Sequence, residues 1–247
     1  MQLNKLTRVI SIVGLLYLLT GVRVTDIYAQ DWYTTARIGE DTQNYKVLVT
    51  AFEPFGGKDT NVTEDLLAYL PKESPTQNAT IITEVLPVVY EESGALLREA
   101  IQDHQPDIVI SLGESNFKGE LRIDTLAANR IRSSMKDTNG HSYKGQSTVL
   151  GGAETLPTLL ASEELVNSLT SQGFNVFIKD KATNYVCNHL YYQLMDEVYH
   201  YPERHQIKAA GFVHVDRTTL PLEIEQRAEG VMVLIDSQIN VIIADLT

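Results

Sequence analysis

The chain has 247 residues, 43% of them hydrophobic and 21% charged, a composition that fits a globular protein of one or two domains with a sizeable core. Its formal net charge is -12, and no cluster of Lys and Arg interrupts the acidic balance. A nucleic-acid backbone or an anionic membrane surface is therefore repelled rather than steered in, and nucleic-acid binding is set aside.

Residues 1–29 differ from the rest. Lys5 and Arg8 precede the apolar run Val9 to Val22, and "DIYAQD" with the small Ala29 follows. That is the layout of a signal peptide cut near Ala29. The run falls short of the roughly 20 apolar residues that span a bilayer, so an uncleaved N-terminal anchor is the alternative and no integral membrane domain is expected. The expectation is an exported protein, periplasmic or secreted. Residues 30–44 read as a polar, flexible leader without periodicity.

From Tyr45 onward strands and helices alternate. "YKVLVTAF" (Tyr45 to Phe52) is a buried strand that stops at the Gly-rich "EPFGG". Asn61 or Thr63 then caps a helix through "EDLLAYL". "ATIITEVLPVV" reads as a strand, "YEESGALLREAIQDH" as a helix and "DIVISLG" as a strand. "ELRIDTLAAN" is a further strand, and residues 130–157 form a long loop of the kind that covers a site. A helix over about 159–172, the strand "NVFIK", a helix holding Cys187, the strand "AAGFVHV" and a last helix from Pro221 complete the chain. In that last helix Ile224, Ala228, Val231, Ile235, Ile239 and Ile242 form one apolar face. One domain over 45–247 is expected, a three-layer α/β/α sandwich around an open, mostly parallel twisted sheet.

Open sheets of this class bind ligands at the carboxyl ends of their strands. Three stretches fall there: "FEPFGG" with Phe52 and Phe55, "YVCNHLYY" with Cys187, and "GFVHV" with His214 at a strand end. Cys187 is the only cysteine, so it forms no internal disulfide. It is either a small buried hydrophobe or a nucleophile. Its place in a first helical turn, at the positive end of the dipole, favours a thiolate and a lowered pKa. His189, two residues on, points about 200° around the helix and is not its base. His104, His141, His200 and His205 lie in polar stretches without zinc-ligand spacing. Asp124 sits in an apolar strand-like segment, where a buried carboxylate needs a partner such as a histidine.

Together "VLVTAFEPFGG", "PDIVISLG", "ETLP", "YVCNHLYY" and "GFVHV", in this order, resemble the pyroglutamyl peptidase I (pyrrolidone-carboxylate peptidase) family over about Tyr45 to His214. The resemblance implies a cysteine peptidase that removes the N-terminal pyroglutamyl residue from peptides through a Cys, His and acid triad, without metal or cofactor. By position the nucleophile is Cys187, the general base His214 and the acid Asp124. Phe52 and Phe55 match the aromatic pair that holds the lactam ring, and Glu114 and Tyr185 complete the candidate substrate-binding set. Asp124 stands where the family has glutamate, one methylene longer. Ser134 stands where it has a loop arginine, with Arg130 and Arg132 close in sequence. Glu114 replaces a glutamine or apolar residue, and "DRTTLP" replaces a "PYLPEQ"-like segment. These departures leave two alternatives, a catalytically weakened member acting as a small-molecule or peptide-binding protein and an amidase with a shifted substrate, an amine-bearing or other small amide. The oligomeric state stays open, a homo-oligomer included.

Overall fold

The computed structural model describes residues 43–180 and 184–246. The expected signal peptide over 1–29 lies outside the described residues, as does all of the expected leader except Gln43 and Asn44. In chain order the elements are β1 (Tyr45–Phe52), α1 (Val62–Leu67), β2 (Ala79–Leu86), α2 (Tyr90–His104), β3 (Ile108–Ser115), β4 (Leu121–Asp124), β5 (Leu126–Ala128), β6 (Thr155–Pro157), α3 (Ser162–Ser171), β7 (Val176–Lys179), α4 (Val186–His200), β8 (Ala209–Asp216) and α5 (Pro221–Asp245).

Six strands make one sheet in the order β2-β1-β3-β8-β4-β7. The first four are parallel to one another, β4 runs antiparallel to β8, and β7 follows β4 in parallel. The sheet is mostly parallel, as the alternation of strands and helices implies. Each strand feeds both faces, because successive side chains point opposite ways. Val47 and Val49 of β1 join the core under α1, α3 and α5, while Leu48 and Phe52 join the core under α2 and α4. The stripe Val186, Leu190, Leu194 and Val198 of α4 is buried, and so are the six apolar residues expected along α5. Among the described residues no helix is long and apolar enough to cross a membrane.

Two local differences from the sequence expectation matter for the site. The stretch "ELRIDTLAAN" is two strands, broken at Thr125. The Thr125 N–H bonds the Lys179 carbonyl at 3.0 Å, and the chain then leaves the sheet to pair antiparallel with Thr155–Pro157. The tail of the expected loop is thus β6, held because Ala127 and Leu156 are both buried in the second core. The remaining loop, residues 129–154, is pinned onto the start of α4. Ser133 N–H donates to the Asn184 carbonyl at 2.7 Å, and the Tyr185 hydroxyl donates to the Lys136 carbonyl at 2.6 Å. Farther out the loop frames an open cavity of about 350 Å³ lined by Arg130, Ile131, Arg132, Lys144 and Gly145.

The helix α4 is tied to the β4–β5 segment by side chains. Asn188, almost fully buried, accepts from Ala128 N–H at 2.9 Å and donates to the Ala128 carbonyl at 2.8 Å. Tyr191 donates to the Asp124 carbonyl at 2.9 Å. Each bond satisfies a backbone group that burial would otherwise leave unpaired.

Candidate active site

Cys187 is the second residue of α4, whose N-cap, Tyr185, is extended and offers no side-chain cap. The sulfur points onto β3 at Gly113. A Cβ built on Gly113 would stand 3.0 Å from Cys187 Sγ and 2.7 Å from the Phe212 ring. Only glycine leaves that space. Gly113 is in register with His214 on β8, the adjacent parallel strand, so sulfur and imidazole share one face of the sheet on strands about 4.8 Å apart. Gly113→Ala is expected to displace the sulfur and lower kcat/KM about 10²-fold, with about 1–3 kcal/mol of stability lost to overpacking. Steady-state kinetics beside a urea titration checks both.

His214 is in turn opposite Arg122 on β4, and Asp124 lies two residues farther along the same face. All three are nearly inaccessible, at 3%, 5% and 1% exposure. His214 Nδ1 lies 3.1 Å from Asp124 Oδ2. The pair is close but poorly aligned, since among the described residues this nitrogen makes no geometrically satisfactory hydrogen bond. The other carboxylate oxygen accepts from Arg122 Nε at 2.8 Å, and the Arg122 guanidinium lies over the Phe117 ring at 5.2 Å. Burial alone would raise the Asp124 pKa, but His214 and Arg122 outweigh it and hold the carboxyl ionised below its usual range. Burial also depresses His214, with the charges of Arg122 and Lys179 acting in the same direction and Asp124 opposing them, so the resting imidazole is neutral.

The expected thiolate at Cys187 is corrected. Burial, followed by the Asp124 charge, pushes this thiol up to about 12. Its own backbone N–H and Arg122 pull the other way without prevailing. The helix-end effect is present but smaller than the cost of holding a charge out of water beside a carboxylate. The residue as a whole is only partly buried; the sulfur that carries the chemistry is the part turned toward the sheet.

Phe52 and Phe55 stand at the end of β1, where Gly56 and Gly57 take φ of 66° and 78° and turn the chain in a way side-chain-bearing residues rarely adopt. Phe55 meets Tyr185 with ring centroids 6.0 Å apart, and Tyr185 meets Tyr90 edge-on at 5.8 Å. Phe52, Phe55 and Tyr185 therefore adjoin the same core as Cys187. Glu114 does not present a free carboxylate. It follows Gly113 on β3 and so faces the opposite way, where Oε2 accepts from Val62 N–H at 3.2 Å and Oε1 accepts from Arg217 Nε at 2.7 Å and from Lys58 Nζ. Burial would raise its pKa, but these partners outweigh it and lower it. Lys58 carries the cluster to the pocket edge, 4.5 Å over the Phe55 ring. An amine-bearing substrate thus finds Glu114 already neutralised by two cations.

Arg122, Lys58 and Tyr90 were not singled out by the sequence. The one available signal was that Arg122 precedes Asp124 by two on a strand, which puts both on one face. His189 has partners other than the sulfur. It is not a surface group: its ring packs edge-on against Tyr90 at 5.3 Å, and Nδ1 pairs with Thr148 Oγ1 at 3.2 Å. Burial pulls His189 down to about 4 from 6.5. Its folded pKa lies below the unfolded one, so the unfolded chain binds more protons between the two values. Stability from this group is complete above pH 6.5 and declines as pH falls toward 4, by about 3 kcal/mol at most. His189→Gln should flatten that decline in urea titrations at pH 7 and pH 4.5.

The chain as a whole is similar to known proteins of one family. The family description "Pyroglutamyl peptidase" matches residues 45–242. A pyrrolidone-carboxylate peptidase of Bacillus velezensis is 34% identical over 172 residues, 69% of this chain and 77% of that protein. One from Thermosipho melanesiensis is 32% identical over 170 residues, 69% of this chain and 82% of that protein. The crystal structure of Bacillus amyloliquefaciens pyroglutamyl peptidase I superposes with a TM-score of 0.71 at 28% identity, covering 79% of this chain and 97% of that one.

Proposed function

The chain belongs to the pyroglutamyl peptidase family of cysteine hydrolases, and on that footing we propose that it removes the N-terminal pyroglutamyl residue from peptides with Cys187 as nucleophile, His214 as general base and Asp124 as the carboxylate behind the imidazole. The observation that carries this reading is the convergence of the three. Cys187 Sγ lies over Gly113, Gly113 pairs with His214, and His214 Nδ1 is 3.1 Å from Asp124.

The resting pair is a neutral thiol and a neutral imidazole. As the sulfur attacks the pyroglutamyl carbonyl carbon, its proton passes to the His214 nitrogen turned away from Asp124, and the imidazolium is stabilised by that carboxylate. The carbonyl electrons move onto oxygen, which the N–H groups of the first turn of α4 receive. The C–N bond then breaks, His214 returns the proton to the departing amine of the second residue, and a thioester remains. Neutral His214 next takes a proton from water as the hydroxide adds to the thioester carbonyl; the C–S bond then breaks and His214 returns the proton to the departing sulfur, which releases pyroglutamate and restores the neutral thiol and imidazole. Phe52, Phe55 and Tyr185 enclose the flat lactam ring, which carries no charge and suits aromatic walls.

The test is the release of a fluorescent amine from a pyroglutamyl amide under reducing conditions, with protein alkylated at Cys187 as the control. Release in the untreated sample only is expected; equal signals from both would end the proposal. We also propose an exported location after removal of residues 1–29, which N-terminal sequencing of the mature protein checks.

A further inference from the structure

Tyr90, the first residue of α2, is 1% exposed, and among the described residues its hydroxyl has no hydrogen-bond partner. An unpaired buried hydroxyl costs stability, and folded proteins retain few of them. The ring is fixed on several sides, edge-on to Tyr143 at 5.3 Å, to Tyr185 at 5.8 Å and to His189 at 5.3 Å. It belongs to the core that contains Phe52 and Val186 and that Phe55, Tyr185 and Cys187 pack against. Burial is the main cause that raises the pKa of its phenol, and Tyr185, Asp137 and Cys187 add to it in their ionised forms, which puts Cys187 within electrostatic reach of Tyr90. The hydroxyl is thus a donor held by ring packing in the neighbourhood of the nucleophile, with nothing to bond among the described residues.

Building on the proposed peptidase activity, we propose that Tyr90 is a specificity-determining residue of the acyl pocket, its hydroxyl donating to the ring carbonyl of the pyroglutamyl lactam. A lactam buried between aromatic rings brings a strong acceptor that must be satisfied once water leaves. Aromatic walls supply contact area, whereas telling a lactam from an apolar ring of the same size takes a polar partner. Burial keeps the phenol protonated, so it stays a donor over the working pH range. The hydroxyl is unpaired before binding and satisfied afterwards.

The proposal links function and stability with opposite signs. Tyr90→Phe keeps the ring and removes only the unpaired oxygen. The free variant is expected to melt a few degrees higher than the wild type. Its KM for a pyroglutamyl amide should rise about tenfold, and the inhibition constant of 2-pyrrolidone, a bare lactam, should rise equally, while kcat stays within about threefold. A purely structural tyrosine gives the reverse, a lower melting temperature with unchanged KM. An unchanged KM and inhibition constant in an active variant would overturn the inference and leave the peptidase reading intact. No turnover by the wild type would remove both.

Discussion

His214→Gln is expected to lower kcat/KM for a pyroglutamyl amide by about 10⁴-fold or more, and adding Cys187→Ala to it is expected to abolish the residual, pH-dependent rate, because that rate is carried by the small ionised fraction of this sulfur. The reason lies in the resting state of the thiol. A cysteine held at about 12 leaves roughly one sulfur in 10⁴ to 10⁵ ionised near neutral pH, so without a proton acceptor attack is confined to that fraction. The residual rate of His214→Gln should accordingly climb steadily with pH through 9. Had the sulfur rested as an ion pair, the loss would be smaller and the residual rate flat over the same interval. Single-turnover rates from pH 6 to pH 9.5 separate the two.

The second large effect is expected at Arg122. Arg122→Met removes the cation that grips Asp124 and leaves a buried carboxylate with only the misaligned imidazole beside it. Losing one member of a buried pair of this kind costs about 3 kcal/mol or more. The pH dependence of kcat/KM should also move. Arg122 acts to lower both His214 and Cys187, so its removal raises both and carries the whole profile to higher pH. Arg122→Lys keeps the charge and should hold the profile near its original position while losing rate through poorer geometry. A methionine variant that folds and keeps the wild-type limbs would show that Arg122 only fills space.

The elements that could be read from the chain are those whose character is local. β1 and β8 are apolar runs that end at recognisable loop residues, and α2 occupies the stretch read from its three- and four-residue spacing, Tyr90–His104. The apolar face of α5 was equally plain. The break at Thr125 was not, because it depends on a bond to Lys179 from a strand some fifty residues away. The same limit applied at the site. Positional resemblance brought Cys187, His214 and Asp124 forward, and the fold sets them around one face of the sheet. The sign of the Cys187 shift, the neutralisation of Glu114 and the presence of Arg122 beside Asp124 all come from cross-strand neighbours that no window of sequence contains. A dipole argument needs only the helix, whereas desolvation needs the surrounding protein.

The bonds from Asn188 to Ala128 and from Tyr191 to Asp124 have an evolutionary corollary. They rivet the carboxylate-bearing segment to the nucleophile-bearing helix from beneath, so the spacing of the reacting groups rests on these bonds and on the few positions of residues 129–154, such as Ser133 and Lys136, that clamp the start of α4. The positions between those clamps can be rewritten while the chemistry beneath keeps its dimensions, which makes them the natural ground on which members of such a lineage diverge.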